Sequence, residues 1–203
     1  KSYYSKGYNE DGTIKSKYWA NKWKVYGLGE VGSIDGVVFE NWEEKAIPID
    51  ARLLYYGCDF GYATSKNAVV GVYKHDDSFY LKQLVYANQM FNNTFAQMIK
   101  DSGYIFGVMY CDYAEPKSIA ELLSNGITAV KCAPKTDIKK HAIKKLNNKT
   151  FYVDPNSKDL INELRYYVYD PKTQQPKKSD KDHLMDALLY AVGSGDKYSG
   201  QYK

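Results

Sequence analysis

The chain has 203 residues, 44% of them hydrophobic and 26% charged, with a net charge of +4 at pH 7. This suits one globular domain, or one domain with an attached arm, and leaves enough apolar material for a real core. No apolar run approaches the length of a membrane span, and the amino terminus, Lys1-Ser2-Tyr3-Tyr4, has no secretion-signal core.

Residues 1–50 are rich in Tyr, Trp, Gly and Lys and carry turn signals such as Asn9-Glu10-Asp11-Gly12 and Ile34-Asp35-Gly36, so they read as an arm. Within it, Val37-Val38-Phe39 could form a short strand. From Leu53 the pattern turns regular. Leu53 to Cys58 predicts a strand ending at Asp59, and Asn67 to Tyr73 and Ser78 to Val85 predict two more, joined through His75-Asp76-Asp77. Short connections make these three an antiparallel meander. Phe91 to Asp101 has helical spacing, with Phe91, Phe95, Met98 and Ile99 on one stripe and Asn92 or Asn93 as cap.

Phe106 to Cys111 is a fourth strand running into Asp112. Pro116 opens a helix that closes before Gly126, and Ile127 to Cys132 is the fifth strand. A basic helix from Asp137 to Asn147 follows, then a short edge strand at Phe151 to Val153 and a helix from Asp159 to Tyr167. Residues 166–178 suggest a protruding hairpin, and a last helix from Asp180 to Val192 is stopped by Gly193. The order predicts an α/β fold: a mixed five-stranded sheet, meander plus parallel strands, flanked by helices. Cys58, Cys111 and Cys132 all fall in predicted strands without zinc or disulfide spacing, and read as small buried hydrophobes of a reducing compartment.

In such sheets, sites form at the carboxyl ends of strands. Asp59 and Asp112 end the first and fourth strands, and their carboxylates meet only if those strands are neighbours. Asp186 stands in the last helix one turn beyond Asp182 and His183, which share its face. Carboxylates taken from water are costly unless paired or bound to a cation, and converging ones repel. The trio therefore points to hard, oxygen-seeking ions, Mg²⁺ or Mn²⁺. Each residue also has a plainer reading: Asp59 as a strand-end turn, Asp112 and Asp182 as helix caps; Glu115 is a reserve candidate for the ligand role beside Asp112. Lys131, Lys135, Lys139 and Lys140, then Lys172, Lys177 and Lys178, form two basic stretches. These are either a solvated surface or, beside such a site, a grip for phosphates.

The segments LLYYGCDFGY (53–62), VMYCDYAE (108–115) and DHLMDALLYA (182–191) resemble the three acidic motifs of the nuclease domain of a tailed-bacteriophage terminase large subunit. Tyr26-Gly27-Leu28-Gly29-Glu30 with Gly36 to Phe39 is similar to that family's link between ATPase and nuclease, and no Gly-x-x-x-x-Gly-Lys-Ser/Thr phosphate loop is present. The resemblance implies a ribonuclease-H-like fold over 51–195, an arm over 1–50 leading from an ATPase domain, and a tail over 196–203. It implies a metal-dependent DNA endonuclease that cuts concatemeric double-stranded DNA at the start and end of packaging, by two-metal hydrolysis in the host cytoplasm. Asp59, Asp112 and Asp186 would be metal ligands, with Asp182 beside them and His183 in a catalytic role. The lysines would hold DNA, and a terminase small subunit and capsid portal would be partners. Two other readings stand beside this one: another ribonuclease-H-like enzyme (junction resolvase, transposase or ribonuclease H), or a non-catalytic DNA-binding or assembly module.

Overall fold

The computed structural model describes the chain except residues 1–2, 16–18, 21–22, 24–26, 29–35, 62–64, 89, 133–134, 171, 174, 178, 180–181 and 199–203, and the side chains of 135–137 and 196–198. Two compact units result, one of residues 1–38 with 165–177, the other of 39–164 with 178–203.

In the smaller unit, α1 (Tyr3–Gly7) is a single short helix, and Tyr4 stacks on Tyr8. Isolated antiparallel bridges join Val37 to Val168 and Tyr169 to Pro176. The hairpin expected over 166–178 is held there by the Asp170 amide on the Gln175 carbonyl and the Lys177 amide on the Val168 carbonyl, both at 2.8 Å.

The larger unit is built on a seven-stranded sheet. Its strands are β1 (Trp42–Glu44), β2 (Arg52–Asp59), β3 (Lys66–His75), β4 (Ser78–Asn88), β5 (Met109–Cys111), β6 (Ala129–Lys131) and β7 (Phe151–Val153), in spatial order β1-β7-β4-β3-β2-β5-β6. The meander β2-β3-β4 is antiparallel as expected, and β5 and β6 add in parallel beside β2. The sheet has two strands more than the expected five: the short strand expected at Phe151 to Val153 is β7, parallel to β4, and β1 adds in parallel outside it, so that β7 is not the edge. Runs that short carry no period to read. Val37 makes only an isolated bridge, and the strand of that region is Trp42–Glu44.

The helices are α2 (Asn92–Asp101), α3 (Pro116–Ser124), α4 (Lys135–Asn147), α5 (Lys158–Tyr166) and α6 (His183–Tyr198). Strand alternation divides β2 and β5 between two faces. Tyr56, Cys58, Met109 and Cys111 join Phe95 and Ile99 of α2 and Ile119 and Leu122 of α3 in one buried cluster. Tyr55, Gly57 and Tyr110 therefore face the other way, towards α6. Phe91 is no part of the α2 stripe: it precedes the helix in an extended conformation and is 85% exposed, and no side chain caps the helix. The three cysteines are buried, and none is in a disulfide. Among the described residues no helix is long and apolar enough to cross a membrane.

Gly193 does not stop the last helix, which continues to Tyr198. Its missing side chain serves packing instead. A Cβ on Gly193 would fall 2.6 Å from the Ile138 carbonyl oxygen of α4, one on Gly195 2.1 Å from the Tyr55 ring, and one on Gly57 of β2 1.9 Å from the Ala187 carbonyl oxygen of α6. Glycine is tolerated inside a helix where it allows such approach.

Candidate active site

β2 and β5 are neighbours, and Cys58 pairs with Cys111. The next residues, Asp59 and Asp112, therefore leave the sheet side by side on the face covered by α6. Asp59 is only 8% exposed. Its carboxyl is pushed up to about 6, by burial first and by the charges of Asp186 and Asp112, against the hydrogen bond and charge of His183. Asp112 Oδ1 accepts the Ala114 amide at 3.0 Å, which fixes the turn after β5.

α6 supplies the remaining side of the site. Residues three and four apart share a helical face, so His183, Asp186 and Tyr190 line one stripe. His183 Nδ1 lies 2.9 Å from Asp59 Oδ2, and this bond raises the imidazole pKa above its usual value against the effect of burial. The Tyr190 hydroxyl donates to Asp112 Oδ2 at 3.1 Å. Burial first, then the charges of Asp186, Asp59 and Asp112, push this phenol far up, so it stays a neutral donor. Lys139 of α4 reaches Asp186 Oδ1 at 2.5 Å. Asp182 precedes the helix: its carbonyl accepts the Asp186 amide at 2.8 Å and its carboxylate the Ser179 amide at 3.4 Å. Burial, then the charge of Asp186, raises its pKa.

Glu163 of α5 supports this arrangement through the helix backbone. Only 7% exposed, it accepts the Met185 amide of the first α6 turn at 3.0 Å. Burial pushes its carboxyl up to about 7, opposed by that amide and by the nearby Tyr86 hydroxyl.

Asp59, Asp112, Asp186 and His183 are thus gathered at one end of the sheet, with Asp182 at the helix entrance. Each of the three central carboxylates already has a donor of the chain upon it, and among the described residues no three His, Cys, Asp or Glu side chains converge closely enough to enclose a metal ion. The donor chemistry nonetheless fits a hard divalent cation: carboxylate oxygens, and beside them His183 Nε2, buried with no hydrogen-bond partner.

The lysines divide. Lys131 is exposed at the end of β6, in register with Cys111, and so lies near the carboxyl end of β5. Lys140 is exposed on α4, one residue beyond Lys139. Lys139 is turned onto Asp186 instead of outward. The side chain of Lys135 and the whole of Lys178 lie outside the described residues, and Lys172 and Lys177 belong to the other unit. Reasoning from sequence missed Tyr190 and Glu163. Tyr190 could have been found, because it stands four residues beyond Asp186 and seven beyond His183 on the same helical face. Glu163 carried a weaker signal, a carboxylate next to the apolar stripe of Leu160, Ile161 and Leu164.

The family model of the terminase RNase H-like domain matches residues 59–194, which include all three acidic positions. The chain belongs to that family. No curated protein sequence matches it. Among solved structures, this terminase RNase H-like domain is similar to the nuclease domain of the g2p large terminase from bacteriophage SPP1 with bound Mn, at 22% identity and a TM-score of 0.62, over 76% of this chain and 97% of that one. It is similar to the large terminase of a thermophilic bacteriophage at 19% identity and a TM-score of 0.64, over 96% of this chain and 55% of that one, so it spans about half of that protein. It is also similar to the large terminase nuclease of the thermophilic phage G20c with bound magnesium, at 17% identity and a TM-score of 0.56, over 79% of this chain and 98% of that one. At these identities the likeness is one of fold: the mixed sheet flanked by helices is ribonuclease-H-like.

Proposed function

We propose that this domain is the metal-dependent DNA endonuclease of a viral genome-packaging motor, cutting concatemeric double-stranded DNA when packaging starts and ends. One observation carries the reading: in a chain of this family, Asp59, Asp112 and Asp186 come from β2, the end of β5 and α6 to one end of the sheet, where their charges act on one another. Asp59, Asp112 and Asp186 would hold Mg²⁺ or Mn²⁺, with Asp182 and His183 Nε2 alongside. Bound there, two such ions would supply an ionised water as nucleophile and neutralise the leaving 3′ oxygen.

The chain's own groups do the rest. The high pKa of Asp59 marks a carboxylate short of positive charge, which a cation would relieve. Tyr190 and His183 aim Asp112 and Asp59, and the exposed Lys131 and Lys140 hold phosphates without reading sequence. Lys135, Lys172, Lys177 and Lys178 are proposed as further DNA contacts. Residues 1–50 would lead from an ATPase domain; of the tail expected over 196–203, residues 196–198 continue α6 and the rest lie outside the described residues. The terminase small subunit and the capsid portal would be partners in the host cytoplasm.

The test is plasmid cleavage with Mn²⁺ or Mg²⁺ against EDTA. Linearisation that needs the metal and vanishes in Asp59→Ala and Asp186→Ala is expected. Full cleavage by either variant would refute the assignment, and preference for branched DNA or an RNA–DNA hybrid would favour the other ribonuclease-H-like enzymes.

A further inference from the structure

Each central carboxylate is met by a donor of the chain, but the three donors differ in kind. Tyr190 is neutral, and His183 shares a proton with the Asp59 it faces. Lys139 brings a full positive charge onto Asp186 Oδ1 at 2.5 Å, from a side chain two-thirds buried. Its position is not an accident of a loose surface residue. Ile138, the residue before it, is pressed on Gly193 so closely that a Cβ there would meet its carbonyl oxygen at 2.6 Å and its side chain at 2.3 Å. The helix that carries Lys139 is thereby clamped to the helix that carries Asp186.

We propose that Lys139 is a built-in counter-ion, an autoinhibitory cation that occupies the third corner of the site until a divalent ion expels it. The inference rests on the nuclease reading above. An ammonium and a divalent ion cannot share one carboxylate oxygen without strong repulsion, so one leaves when the other binds. The expelled ammonium sits on a flexible four-carbon stem and turns to the next anion within reach, a DNA phosphate. Phosphate binding and metal binding then favour each other, and by linkage each tightens the other to the same degree.

The experiment is calorimetric titration of Mn²⁺ into the DNA-free protein, comparing wild type with Lys139→Met and Lys139→Gln. Both variants are expected to bind Mn²⁺ roughly fivefold tighter, about 1 kcal/mol by the affinity relation, as suits a partly exposed ion pair. Equal or weaker binding overturns the proposal, because a lysine that merely braces Asp186 would weaken the site when removed. A second measurement needs no variant. In wild type, acetylation of Lys139, read by mass spectrometry, should be slow in EDTA and accelerate with Mn²⁺; a rate indifferent to Mn²⁺ overturns the proposal. Cleavage by wild type with unchanged Mn²⁺ affinity in both variants would sink this inference alone, whereas no Mn²⁺ binding by any of the three proteins would sink the nuclease reading with it.

Discussion

Glu163→Gln is expected to stabilise the domain, and only above mildly acidic pH. Glu163 is buried and sits at the amino end of α6, where a negative charge is electrostatically welcome. Burial nevertheless outweighs that welcome, since the carboxyl is pushed up from 4.5 to about 7. A carboxyl whose folded pKa is raised contributes stability below its unfolded pKa and loses it as pH rises through the folded one. The window here runs from 4.5 to about 7. At about 1.4 kcal/mol per unit, the ionised side chain costs on the order of 3 kcal/mol above that window. Glutamine keeps an oxygen for the Met185 amide and carries no charge. Urea unfolding should therefore place the variant less than about 1 kcal/mol above wild type near pH 5 and about 3 kcal/mol above it near pH 8. A variant less stable than wild type near pH 8 would show that the α6 terminus needs the full charge, and the reasoning from burial would fail.

Three further outcomes follow from the packing and the charges. Gly57→Ala puts a Cβ 1.9 Å from the Ala187 carbonyl oxygen, so α6 must move off β2; thermal unfolding should report a loss of about 1–3 kcal/mol, and cleavage should fall because Asp59 and His183 separate. Tyr190→Phe removes the hydroxyl that holds Asp112 Oδ2; a loss of about 1 kcal/mol is expected, with slower cleavage and unchanged DNA affinity. Replacing Lys131 and Lys140 together by alanine should weaken DNA binding alike for all sequences and reduce the slope of log K against log salt by about 2, measured by fluorescence anisotropy. An unchanged slope would mean that neither lysine touches phosphate.

Much of the sheet was legible because β2, β3 and β4 are long enough to show their period, and the turn at Asp76-Asp77 separates two of them cleanly. The pairing of β2 with β5 was not legible: periodicity places residues on faces but does not choose neighbours. Once that pairing is known, alternation alone puts Asp59 and Asp112 on the α6 face, opposite Cys58 and Cys111. The strand β1 escaped because three residues carry no pattern, whereas β7 was legible as a short strand but not as an inner one. The end of α6 was misread because Gly193 looks like a stop and is instead a point of close approach to α4. Lys139 looked like one of a row of surface lysines, and only the fold distinguishes it from Lys140 by turning it onto Asp186.

The three acidic corners are held in different ways, and this decides where the site can be adjusted. Asp59 and Asp112 are carried by adjacent strands whose backbone register is locked by hydrogen bonds, so their separation cannot change without tearing the sheet. Asp186 stands on α6, whose distance from the sheet depends on Gly57 and Gly195 and whose distance from α4 depends on Gly193. A rigid pair facing a corner set by helix packing lets small shifts of α6 change the third distance alone. His183, Asp186 and Tyr190 ride on that same helix and reach Asp59, Lys139 and Asp112 in turn, so any such shift alters all three contacts together. The glycines that let α6 lie so close are therefore as much a part of the site as the carboxylates.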